Sequence, residues 1–271
     1  MMSPQRLIIP LLAILVCSAF MFLPEPHYPA KKRTVKLLCY NIHHAAPPTK
    51  SNVIDLAAIA KVINESDADL VALQEVDAYT RRSGPYNQAQ ELGKLTGMSP
   101  YFFKAIEYDG GEYGIAILSR LPVLETNRYP LPRMEGNGGE PRVLATAMIQ
   151  LRSKEKVLLA CTHLDSRRDS INRLLQVKAI TALLKDSDVP ILIAGDFNAA
   201  PGSEVINILD QHFTRTCDPC DSTIPVDNPQ RAIDFIAVSP PAIFKVKKHF
   251  VIPEQYASDH LPVFAELEID F

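Results

Sequence analysis

Pro190-Ile191-Leu192-Ile193-Ala194-Gly195-Asp196-Phe197-Asn198 is a short apolar run that stops on a glycine and two oxygen-bearing side chains. Its length and composition predict a buried strand, and an ordinary turn does not require the Asp-Phe-Asn that closes it. Directly upstream, Ile171, Leu174, Leu175, Ala179, Ala182 and Leu183 recur at helical spacing and predict a long amphipathic helix. Before that helix, Arg142 to Leu151 and Lys156 to Thr162 are joined by the polar Arg152-Ser153-Lys154-Glu155, the pattern of an antiparallel hairpin. Toward the start of the chain, Thr34 to Tyr40 reads as a buried strand. Asn52 to Glu65 reads as a helix with Ile54, Ala57, Ala58, Val62 and Ile63 on one face. Asp69 to Gln74 then reads as a strand, Asn87 to Leu95 as a helix ending at Gly97, and Ile115 to Leu118 as a third strand. Downstream, Arg231 to Val238 and Leu261 to Ile269 are further strands, the last with alternating apolar positions. Helices mixed with both isolated strands and hairpins predict a mixed α/β sandwich, with no internal repeat.

The 271 residues are 47% hydrophobic, enough for a substantial core, and carry a formal net charge of -3. No basic excess points to a polyanion, so nucleic acid is the less favoured partner. Residues 1–30 stand apart. Arg6 precedes an apolar run from Leu7 to Leu23 that ends in Pro24-Glu25-Pro26, which reads as an export signal or a single membrane anchor plus linker. Either outcome places residues 31–271 outside the cytoplasm: periplasmic, extracellular or held at a membrane. In an oxidising compartment Cys217 and Cys220 can close a small disulfide loop, whereas Cys39 and Cys161 sit in apolar runs and read as core.

The polar residues that end the strands carry the chemistry. Asn41 follows the first strand, Glu75 the second, His163 the hairpin, Asp196 and Asn198 the run quoted above, and Ser258-Asp259-His260 precedes the last strand. Strand ends and neighbouring antiparallel starts share one edge of a sheet, so these clusters are expected on one rim. Asn41, Glu75, Asp196, Asn198 and Asp259 offer oxygen ligands suited to a hard cation, Mg²⁺ first and Mn²⁺ second. His163 and His260 add groups that exchange a proton near neutral pH. Taken singly, Asn41 also fits a turn, Glu75 a helix cap and His163 a strand edge; Asp234, inside an apolar strand, calls for a buried partner.

Leu73-Gln74-Glu75-Val76, Gly114-Ile115-Ala116-Ile117-Leu118-Ser119, Thr162-His163-Leu164-Asp165, Gly195-Asp196-Phe197-Asn198, Ile233-Asp234-Phe235-Ile236 and Ser258-Asp259-His260 together resemble the endonuclease/exonuclease/phosphatase superfamily. The resemblance runs from about Lys36 to Phe264. It implies a four-layer α/β sandwich: two packed mixed, largely antiparallel sheets flanked by helices. It also implies metal ligation by Asn41, Glu75 and Asp259. Asp196 and Asn198 would orient the attacking water and hold the phosphoryl group. His260 would be the general base oriented by Asp234, and His163 would stabilise growing phosphate charge. Three further residues, His43, Tyr113 and Arg142, are expected to contact substrate. His43 should face the same side as Asn41 if the strand continues, with His44 pointing away. Tyr113 resembles a family tyrosine that touches phosphate, with different spacing. Arg142 suits bidentate phosphate binding or a solvated strand end.

The expected activity is therefore hydrolysis of phosphoric esters by a monomer, favouring lipid head-group or small-molecule phosphodiesters outside the cytoplasm. A secreted or periplasmic nuclease is the alternative, with Arg81-Arg82 and Arg167-Arg168 the only loop arginine pairs. A third reading is an inactive adhesion or scaffold module of the same fold. Retention of both histidines with all the acids argues against it.

Overall fold

A computed structural model describes residues 34–271, so the expectation for residues 1–30 lies outside the described residues. Among the described residues no helix is long and apolar enough to cross a membrane. In chain order the elements are β1 (Thr34–Asn41), α1 (Leu56–Ser66), β2 (Leu70–Ala78), α2 (Gln88–Thr96), β3 (Ser99–Tyr108), β4 (Gly111–Ser119), β5 (Val123–Pro130), β6 (Val143–Gln150), β7 (Lys156–His163), α3 (Ile171–Leu184), β8 (Ile191–Asp196), α4 (Glu204–Asp210), β9 (Thr214–Arg215), β10 (Asp234–Ser239), β11 (Phe244–Val251) and β12 (Val263–Ile269).

Two six-stranded sheets result, ordered β11-β12-β1-β2-β4-β3 and β5-β6-β7-β8-β10-β9. Each centres on one parallel pair, β1 with β2 and β7 with β8, flanked by antiparallel neighbours. The central strands are apolar on both faces because each sheet is covered twice. In β1, Leu37 and Cys39 enter the core between the sheets, against Leu159, Cys161, Leu192 and Ile236. Leu38 and Tyr40 point the other way, toward Ile59 and Ile63 of α1 and Leu92 of α2. On the far side Ala160, Ile193 and Phe235 pack on Val177 and Ile180 of α3 and Ile206 of α4. The layers are thus helix, sheet, sheet, helix, as expected.

Local differences have local causes. The first helix starts at Leu56, not at Asn52, because Asn52 takes a left-handed backbone and Asp55 caps the helix, accepting from the Ala58 N–H at 2.9 Å. Gly195 lies where β8 approaches β7 so closely that a Cβ would sit 2.3 Å from the Thr162 carbonyl oxygen. Cys217 and Cys220 form a disulfide, and Cys39 and Cys161 are free and buried.

Candidate active site

The two parallel pairs end on the same rim, and the register aligns the polar residues there. Asn41 pairs with Gln74, His163 with Asp196, and Asp234 with Asp196 from the antiparallel side. Glu75 sits at an irregularity of β2 with φ 58°, a conformation that turns it out of the ladder. Asn198 (φ 49°) is likewise left-handed, so the rim holds strained residues of the kind that persist where tertiary contacts over-determine them, at about 1–3 kcal/mol each.

A buried chain of hydrogen bonds forms the floor. The His260 Nδ1 lies 2.9 Å from Asp234 Oδ2, which also accepts from the Thr223 hydroxyl at 2.5 Å. His260 Nε2 faces Asp196 Oδ2 at 3.8 Å, and His163 Nε2 approaches the same oxygen at 3.4 Å. Asn41 donates through Nδ2 to Asp196 (3.1 Å) and to Glu75 (3.2 Å). The Asn198 backbone N–H donates to Asp196 Oδ1 at 2.8 Å.

The charges follow from this packing. Burial works against a charged His260, but the carboxylates of Asp234, Asp196 and Asp259 outweigh it and push the imidazole up to about 10. Burial and the neighbouring Asp234 raise Asp196 to about 7. His163 goes the other way, held well below its usual range by burial, Arg142 and His260. Its tautomer is set by Arg142, whose Nη1 lies 3.2 Å from His163 Nδ1. A guanidinium only donates, so Nδ1 accepts and the neutral ring carries its proton on Nε2, facing Asp196.

The predicted ligands meet on the rim. Besides the Asn41–Glu75 contact, the Ser258 hydroxyl donates to the Asn41 carbonyl at 2.7 Å, which brings Asp259 to the same place, 4.0 Å from His43. Among the described residues no lysine or arginine pairs with Glu75 or Asp259. The carboxylates of Glu75 and Asp259 and the side-chain oxygen of Asn41, which accepts from the His43 N–H at 3.1 Å, are oxygen donors left without lysine or arginine partners, the chemistry that a hard divalent ion takes.

A profile of the endonuclease/exonuclease/phosphatase family matches residues 38–260, which includes every residue of this rim. The chain belongs to that family. It is 26% identical over 247 residues to the uncharacterized protein YbhP of Escherichia coli, covering 86% of this chain and 96% of the relative. An endonuclease/exonuclease/phosphatase structure from Beutenbergia cavernae superposes with a TM-score of 0.75 at 24% identity, over 88% of this chain and 72% of that one. A mannosyl-6-phosphatase of Bacteroides thetaiotaomicron superposes with a TM-score of 0.68 at 20% identity, over 86% and 99% of the two chains.

Several expectations are refined by position. The strand does not continue past Asn41: His43, His44 and Ala45 form a left-handed turn with φ of 46°, 43° and 58°. His43 still reaches the rim, but His44 does not point away; a ring nitrogen of each histidine and an oxygen of Glu75 lie within 4.8 Å of one another. Burial lowers His44 to about 4. Asn198 spends its side-chain N–H on the Leu164 carbonyl at 3.0 Å, leaving its oxygen for the site. Arg142 is not a solvated strand end. It is 5% exposed, held between His163 and Glu140 (3.1 Å), with its Nε buried and unpartnered. Tyr113 is buried beside Arg142 and Glu75; burial and the Glu75 carboxylate raise its hydroxyl above the usual range, against the opposing pull of the Arg142 guanidinium.

Sequence reasoning missed Thr223 and the Ser258 hydroxyl as a donor to the Asn41 carbonyl, and weighed Arg82 only as one of a loop arginine pair. The Arg82 guanidinium pairs with the buried Asp77 at 2.7 and 2.9 Å and lies 4.4 Å from the centre of the Tyr108 ring. Arg82, Tyr108 and Tyr113 close a polar recess of about 90 Å³ against Glu75 and Glu140. Thr223 and Arg82 lie in loops with no periodic pattern, so nothing local distinguishes them.

Proposed function

We propose that this chain is a divalent-metal-dependent phosphoesterase, specifically an extracytoplasmic phosphodiesterase that cleaves lipid head-group or small-molecule phosphodiesters by in-line attack of water. The observation that carries the reading is the buried Asp234–His260 pair directed at Asp196. An adhesion or scaffold module has no use for a buried carboxylate that orients an imidazole, since such a group costs stability unless it is paired.

Each residue has a defined task. Asp234 accepts the Nδ1 proton of His260 and so leaves Nε2 as the atom that removes a proton from water. Asp196, fixed by Asn41 and Asn198, orients that water. The neutral His163 donates from Nε2 to a phosphoryl oxygen as its charge grows, and Arg142 keeps that proton where it is needed. Glu75, Asp259 and Asn41 would hold Mg²⁺ or Mn²⁺. When bound, such an ion would supply Lewis-acid polarisation of a phosphoryl oxygen and positive charge that opposes protonation of His260.

The surroundings of the rim support a diester with two unlike substituents. On the Glu75 side lies the small polar recess already described. On the Asp259 side lies a larger one of about 440 Å³, bounded by Pro48, Thr49, Pro225 and Val226. Three of the four paired loop arginines are engaged, Arg82 with Asp77, Arg81 with Asp109 at 3.7 Å and Arg167 with Asp169 at 3.4 Å, which leaves Arg168 as a single exposed charge and not a basic track for nucleic acid.

The protein is expected to hydrolyse bis-p-nitrophenyl phosphate with Mg²⁺ or Mn²⁺ and to lose that activity in EDTA. Turnover that survives chelation excludes the metal mechanism. A parallel panel of sphingomyelin, plasmid DNA and an inositol polyphosphate then reads the substrate class. Preference for the DNA overturns the small-diester assignment.

A further inference from the structure

The geometry points to a second cation position, built from His43, His44 and Glu75 and suited to a borderline transition-metal ion such as Zn²⁺ in preference to Mg²⁺, with the harder Mn²⁺ able to occupy both this position and an all-oxygen one. It shares Glu75 with the all-oxygen set of the proposed function and otherwise uses different residues.

The turn that carries the two imidazoles is costly to build and firmly held. Three consecutive non-glycine residues have left-handed backbones. The His43 N–H donates to Asn41 Oδ1 at 3.1 Å, Ala45 N–H to the Ile42 carbonyl at 2.7 Å, and Ala46 N–H to the His43 carbonyl at 2.8 Å. The fully buried Gln88 spends its amide N–H on the His44 carbonyl at 2.7 Å, and the Asp55 N–H takes the Ala45 carbonyl at 2.7 Å. A turn needed only for its shape would be served by glycine or asparagine, which visit this backbone routinely.

The side chains are prepared as ligands. The Ala46 carbonyl lies 2.9 Å from His43 Nδ1, and a carbonyl only accepts, so Nδ1 carries the proton and Nε2 keeps a free lone pair. Metal-ligating histidines generally donate their second nitrogen in this way. The Nδ1 atom of His44 is buried with no hydrogen-bond partner, which a buried polar atom seldom tolerates. One ring nitrogen from each histidine and one Glu75 oxygen fall within 4.8 Å of one another. Two nitrogens and one carboxylate oxygen select ions softer than Mg²⁺ or Ca²⁺.

The test uses the full-length chain in detergent, stripped of metal and titrated with Mn²⁺ alone. Free Mn²⁺ is counted by electron paramagnetic resonance, and nitrogen ligation is read from pulsed-resonance coupling to ¹⁴N. The wild type is expected to bind two Mn²⁺ per chain, one of them coupled to ¹⁴N. The double variant His43→Asn/His44→Asn, chosen because asparagine keeps the left-handed turn, should bind one and show no ¹⁴N coupling. Asp259→Asn should retain the nitrogen-coupled ion. A wild type that binds a single ion without ¹⁴N coupling overturns this site and leaves the proposed function standing. Coupling that survives the double variant also overturns it, by assigning the nitrogen to another histidine. A wild type whose only ion is ¹⁴N-coupled, unaffected by Asp259→Asn but lost in the double variant, supports this site and overturns the all-oxygen set instead.

Discussion

Asp234→Asn tests the physical core of the proposed site through stability as well as rate. His260 is raised to about 10 in the folded chain against 6.5 when unfolded. The folded protein therefore keeps a proton that the unfolded one has released. The stabilisation is complete below about pH 6.5 and is lost as pH rises through the folded value. At about 1.4 kcal/mol per pH unit, release of the His260 proton alone should cost the metal-free wild type about 3 kcal/mol of stability between about pH 7 and about pH 9.5. The lowered His163 and His44 act below 6.5; Asp196 finishes its titration just above 7, and the buried thiols Cys39 and Cys161, raised from 9.0, add to the loss only near the top of the window, so the difference between wild type and variant isolates His260. Asparagine keeps the shape and an acceptor oxygen but removes the charge, so the variant should lose less than half as much. Urea unfolding in EDTA at the two pH values measures it. Equal losses in wild type and variant would refute the claim that the Asp234 charge holds His260 protonated. In the metal-loaded enzyme the same variant should lower kcat by on the order of 10²- to 10⁴-fold, because the base is no longer correctly held.

Three further outcomes follow from the geometry. His260→Ala should lower kcat/KM by on the order of 10²- to 10⁴-fold in initial-rate assays; a change below about tenfold removes it from the mechanism. Arg142→Lys should cost about 10- to 100-fold in kcat at constant fold, since a single ammonium cannot donate to His163 Nδ1 and pair with Glu140 as the planar guanidinium does. A wild-type rate there shows that the His163 tautomer is set by something else. Gly195→Ala should lower stability by about 3 kcal/mol in urea titrations, because the new methyl group meets the Thr162 carbonyl between two tightly paired strands. An unchanged midpoint would mean that β7 and β8 yield more easily than their register suggests.

The layered fold was legible because the central strands are covered on both faces and read as apolar runs. The strands that escaped notice are at the sheet margins. β11 (Phe244–Val251) presents Lys245, Lys247 and Lys248 to solvent, and β5 (Val123–Pro130) and β3 (Ser99–Tyr108) are largely exposed or only half-buried. Such edges are protected from unwanted pairing by charge and polarity, which removes the periodic signal that would reveal them. The same division holds for the site. Asn41, Glu75, His163, Asp196 and Asp259 announce themselves as polar endings on apolar strands. The burial of Arg142 and the inward turn of His44 depend on contacts between distant segments and on a left-handed backbone that no local pattern encodes.

Strand β12 lies between β11 and β1, and the Ser258 hydroxyl reaches across to the Asn41 carbonyl, joining residues 217 positions apart. Bringing such remote segments together is slow compared with forming the helices and hairpins between them. A partly folded chain therefore holds its acids and imidazoles as scattered, inert groups. On the proposed function, competence to cleave requires these remote segments to have met, so a half-made molecule would have no half-strength activity to release.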